Sequence, residues 1–159
     1  MKRLFFFVLV SFILALPALL PAASWLELRS EHFIMKYQKP ERKMAAYLLQ
    51  HAEEIREAIL HDIGDEPSPP TVIYLASTWE QFQEAQPGGE SPTWAAGTAY
   101  PARNLICLRS PRGMKGGRTD IEEVLRHEYI HLALASDPKL AELAATRENG
   151  ATVFVDYAH

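Results

Sequence analysis

Two histidines stand four residues apart inside DIEEVLRHEYIHLAL, residues 120–134, a stretch whose apolar positions otherwise keep helical spacing. Residues i and i+4 of a helix lie one above the other on the same face, so the imidazoles of His127 and His131 can both reach one ion at about 2.0–2.1 Å, the zinc–nitrogen distance. The competing reading is a solvated face carrying three polar residues. Either way the segment must be a firm helix with its other side buried, and Ile121, Val124, Leu125 and Leu132 supply that side. Thr119, followed three residues later by Glu122, reads as the capping box that starts it, and the helix is expected to stop near Ser136.

Glu128 is the next residue round the helix from His127, close to such an ion but angled away from direct ligation. A carboxylate there can take a proton from water, the general-base position of the H-E-x-x-H metalloproteases. A catalytic zinc site commonly has three protein ligands and an open position. The downstream candidates are Glu142, Glu148, Asp156 and His159. A second helix is expected from Asp137 as N-cap and Pro138 at its first position. Glu148 falls where that helix can face back toward the first. Its surroundings there are small or apolar (Ala144, Ala145, Ala151, Val153, Phe154), and an acid among them is costly unless something positive pairs with it. Glu142 falls earlier, on a more exposed part, where it reads better as a surface charge.

The 159 residues suit one domain, and 48% apolar with 23% charged residues is the composition of a globular protein. The first 23 residues differ. Lys2 and Arg3 precede an unbroken apolar run that ends in the small-residue stretch PAAS. This is the layout of a secretory signal peptide cut after Ala23; left uncut, Leu4 to Ala23 is long enough to anchor the chain in a bilayer. Its removal takes two of 16 basic and none of 20 acidic residues, moving the formal charge from −4 to −6. That balance gives no reason to expect nucleic acid or an anionic membrane surface as partner. Membrane contact is expected only through an uncut N-terminus, and location is expected to be periplasmic or secreted. Cys107 is alone, so no intramolecular disulfide is available.

SWLELRS and HFIMKY read as two strands, with Phe33, Met35 and Tyr37 on one face. From Glu41 to Ile63 the positions Met44, Leu48, Ala52, Ile55 and Ile59 mark a long amphipathic helix ending at Gly64, with His51 and His61 as surface residues. EPSPP connects to a strand in TVIYLAS, and a short helix around TWEQFQEA follows. Gln86 to Trp94 reads as loop. AGTAY and NLICLRS, joined by PAR, read as a hairpin or a pair of edge strands, and PRGMKGG as a basic loop.

With H-E-x-x-H and a glutamate on the next helix, the chain resembles the gluzincins, the thermolysin-like zinc metallopeptidases. Over residues 25–157 it is similar to the small peptidase MA-like domains of exported bacterial proteins. WLELRSEHFIMKY stands for the opening strand pair, ILHDIG for the long helix and its stop, STWEQFQEA for the short helix, and AGTAYPARNLICL for the Gly-containing edge strand. The resemblance implies a compact zincin-like α+β fold: a small mixed sheet, an active-site helix, then a ligand-bearing helix. It implies Zn2+ held by His127, His131 and Glu148, with Glu128 as the catalytic base. It places Gly97 to Tyr100 on an edge strand that pairs with an extended peptide or protein substrate through backbone hydrogen bonds. Departures are Asn149 where the family usually has glycine, Thr152 where it often has an acid steadying a ligand histidine, and no C-terminal lobe. Tyr157 or His159 could serve the oxyanion, against the plainer reading of a packing tyrosine and a frayed terminus. The expectation is therefore a zinc metallopeptidase; the alternative is a zinc-binding, catalytically weak or inactive peptide-recognition module. A third reading has the partner segment lying beyond residue 159.

Overall fold

A computed structural model describes residues 24–64, 66–88, 91–114 and 120–138. The expected signal segment, the second helix with Glu142, Glu148 and Asp156, and the terminal Tyr157 and His159 lie outside the described residues. None of the described helices is long and apolar enough to cross a membrane.

Apolar and β-branched runs form β1 (Leu26–Arg29), β2 (Phe33–Tyr37), β3 (Thr71–Ala76), β4 (Gly97–Tyr100) and β5 (Leu105–Arg109). The helices are α1 (Arg42–Ile63), α2 (Trp79–Ala85) and α3 (Ile121–Ser136). The strands join in one sheet, order β1-β2-β3-β5-β4, so that among the described residues β1 and β4 are its edges. Pairings β2–β3 and β3–β5 are parallel; β1–β2 and β4–β5 are antiparallel. The fold is thus α+β with a mixed sheet, as expected.

Period-two alternation sends side chains to two different cores. Phe33, Met35 and Tyr37 of β2, Ile73 and Leu75 of β3, and Ile106 and Leu108 of β5 pack under α1 and α3. From α1 come Leu48, Ala52, Ile55 and Ile59; from α3 come Val124, Leu125, Tyr129 and Leu132. On the opposite face Ala76, Leu105 and Cys107 meet Phe82 of α2, with Trp25, Tyr74 and Trp79 at the margin. Cys107 is fully buried there.

The long helix ends where glycine allows it: Gly64 has φ +86°, a left-handed backbone that costs a side-chain-bearing residue about 1 kcal/mol or more, and its N–H closes on the Leu60 carbonyl. AGTAY and NLICLRS do form an antiparallel hairpin, closed by the turn Pro101–Arg103, but only β4 is an edge strand. β5 lies between β3 and β4 because its apolar residues serve both cores. The start of α3 also differs from the expectation. Thr119 lies outside the described residues, and the cap is Asp120, whose carboxylate accepts from the N–H groups of Glu122 and Glu123 at 3.1 and 3.3 Å. An ionised acid there also meets the positive end of the helix dipole, which a threonine hydroxyl does not.

Truncating Leu48, fully buried between α1 and the sheet, should cost about 2–5 kcal/mol in urea unfolding. Gln50→Ala, two residues on and exposed, should stay within about 0.5 kcal/mol.

Candidate metal and catalytic site

Three successive residues of α3 point three ways. Tyr129 is buried in the main core with its ring tilted against Phe33, centroids 5.5 Å apart. His127 is half-buried, and one turn on so is His131. Their Nε2 atoms approach to 2.9 Å, with the ring planes at 83°. At the tetrahedral angle, two nitrogens on one zinc stand about 3.3 Å apart, given bonds of about 2.0–2.1 Å. The pair therefore nearly has the separation of two ligands on one ion. Burial lowers the pKa of both imidazoles, opposed at His127 by the charge of Glu123 and reinforced at His131 by His127. Both thus favour the neutral form that binds metal.

Glu128 turns the other way, against β4. It is 7% exposed, and burial pushes its carboxyl up to about 7, partly opposed by a hydrogen bond from the Ala99 amide. The hydrogen-bond parity of the hairpin explains why that amide is free. The Arg109 N–H donates to the Ala96 carbonyl at 2.9 Å, so residues 96, 98 and 100 face β5, while Gly97 and Ala99 turn their backbone groups to the open edge. Gly97 makes the approach possible. A β-carbon there would lie 2.7 Å from Val124 Cγ1, 2.9 Å from Glu128 Cγ and 3.0 Å from Glu128 Oε1.

The loop entering β4 is fastened from behind. Arg109, at the end of β5, lies with its guanidinium 4.9 Å over the Trp79 ring and donates through Nη1 to the Thr93 and Ala95 carbonyls at 2.7 and 3.2 Å. Sequence reading missed both Arg109 and the Ala99 amide. An isolated glycine in a strand does signal close backbone approach, so Gly97 was the legible part. Tyr100, also expected at the substrate strand, lies on β4 with its side chain on the far face, where its hydroxyl donates to Gln86 Oε1 at 2.9 Å. Burial, then Cys107 nearby, raises that phenol to about 12.

α3 thus carries two paired imidazoles on one face and a shielded carboxylate turned to the β4 edge on another, whereas Glu148 falls outside the described residues. Among the described residues no group of three or more His, Cys, Asp or Glu is placed to hold an ion. The residues present fit a metal as two of its ligands. No family model, curated protein or solved structure matches the chain.

Gly97→Ala should destabilise the protein by about 1–3 kcal/mol, since strand and helix must separate. Glu128→Gln tests the buried charge in chelator-treated protein. Below pH 4.5 the carboxyl is neutral in both folded and unfolded states; as pH rises to about 7 the unfolded chain ionises first, and native stability falls by about 3 kcal/mol. The variant should therefore melt higher than the parent at pH 8 and no higher at pH 4.

Proposed function

We propose that the chain is a zinc-dependent metallopeptidase, with His127 and His131 as two metal ligands, Glu148 as the third and Glu128 as general base. What supports this reading is the pairing of His127 and His131 on one face of α3, with the buried carboxylate of Glu128 on the adjoining face, against the outer strand β4. When bound, zinc supplies Lewis acidity, polarising a carbonyl oxygen and acidifying water.

The chain's own groups do the rest. An extended peptide adds to the edge of β4 by bonding to the outward backbone groups of Gly97, which fixes the peptide without reading its side chains. Glu128, with a carboxyl near 7 before metal binds, takes a proton from the attacking water and delivers it to the departing amine. The Ala99 amide holds that carboxylate in place. Val124 and Gly97, packed against its stem, keep bulk water from the methylene side and so strengthen the electrostatics around it.

Metal analysis of the purified protein should find one zinc per chain, lost on His131→Ala and on Glu148→Ala. Glu128→Gln should keep the zinc while lowering peptide turnover by about 10²- to 10⁴-fold. Unchanged turnover in Glu128→Gln would overturn the mechanism, and zinc retained in Glu148→Ala would overturn that ligand. Zinc and peptide binding without cleavage in the parent protein would favour the recognition module.

A further inference from the structure

Among the described residues β1 is the second edge strand of the sheet. The Ser30 N–H donates to the Phe33 carbonyl at 3.0 Å, so residues 26, 28 and 30 face β2 and the backbone groups of Glu27 and Arg29 point outward. Glu27 and Arg29 also share one face of the strand, where they bond to each other at 2.5 Å with both side chains partly or largely exposed. On the opposite face Leu28 leans toward α1, and Leu26 is 40% exposed. Beside them is an open groove of about 500 Å³ lined by Leu28, Ala46, Leu49 and Glu53 among others.

We infer that a second copy of this chain docks here, β1 against β1 in antiparallel sense with Leu28 on the two-fold axis. Backbone direction restricts hydrogen-bonded pairs to residues 27 and 29. Centring on Glu27 or on Arg29 sets that residue opposite itself, like charge on like, which is unfavourable. Centring on Leu28 sets Glu27 opposite the partner's Arg29 and Arg29 opposite the partner's Glu27, and each of these pairs exchanges both backbone bonds. The two Leu28 side chains then meet as a close non-hydrogen-bonded pair beside the groove, and Leu26 falls opposite the partner's Ser30. The two sheets become one, with both β4 edges left open at its ends. This inference does not rest on the metallopeptidase reading.

The test is oligomeric state by sedimentation of the purified chain, at up to about 100 µM, in the range of a weak interface. The parent protein should dimerise. Glu27→Arg and Arg29→Glu should each weaken the dimer at least tenfold, and the double exchange E27R/R29E should restore it. Leu28→Cys should give an intermolecular disulfide under mild oxidation, since Cα atoms of such a pair stand about 4.5 Å apart. Leu26→Cys should not, since its equivalents lie about 13 Å apart in this register. Cys107 is fully buried and adds no competing thiol. A monomer at the highest concentration, a dimer indifferent to the single reversals, or cross-linking through position 26 instead of 28 would each overturn the inference.

Discussion

One carboxylate held out of water between a helix and a strand sets the terms for the rest of the site. Among the described residues the Ala99 amide is what holds the Glu128 carboxyl down against the upward push of burial. A buried ionised acid with so little compensation is expensive for a small domain. The arrangement makes sense when a cation stands nearby, and the paired imidazoles on the adjoining face of α3 offer one a place. As the structure stands, burial brings the carboxyl to take up a proton near neutrality. The strain is thus electrostatic, and it is concentrated where the chemistry would occur.

The surrounding structure keeps β4 at its short distance from α3. Arg109 binds carbonyls on either side of Trp94. Gln86 accepts from Tyr100 and from Ser91, and its own amide donates to the Phe82 carbonyl, tying strand, loop and α2 together. On the other face the buried Glu41 accepts from Ser110 at 2.8 Å and lies 3.2 Å from Arg112 Nε, which fastens the exit of β5 to the start of α1. These polar anchors sit at chain segments with few apolar residues, where packing alone would leave the loops loosely placed.

Most elements were legible because their periodicity is strong. The α1 stripe, the alternation in FIMKY and TVIYLA, and the stop at Gly64 follow from local rules and stand in the fold as expected. The two paired histidines were legible for the same reason, since a four-residue spacing on a helix fixes a common face. What local rules could not supply was partnership. The resemblance places Gly97 to Tyr100 on an edge strand, and β4 is one among the described residues, but the local pattern of AGTAYPARNLICL does not say so; that depends on β5 pairing with β3, a decision made by distant residues. Nor does HEYIH say that its glutamate meets the Ala99 amide, because hydrogen-bond parity is set by the hairpin register. Asp120 replaces Thr119 as cap for a nearer reason: an ionised side chain one residue later can satisfy two amides at once.

The strand order has a kinetic side. The central strands pair in parallel, Phe33 with Thr71 and Val72 with Leu105, so their partners are drawn from remote stretches of the chain. Such non-local closures slow the search for the native state. The pairing of β4 with β5 is local in sequence, whereas that of β5 with β3 joins stretches some thirty residues apart, Val72 with Leu105. Helix α3 packs against α1, β4 and β5, so its seat is made of segments from both halves of the described chain. The shelter around Glu128 therefore belongs to the completed topology and to no local fragment of the chain, since it needs β4 and α3 in contact at Gly97.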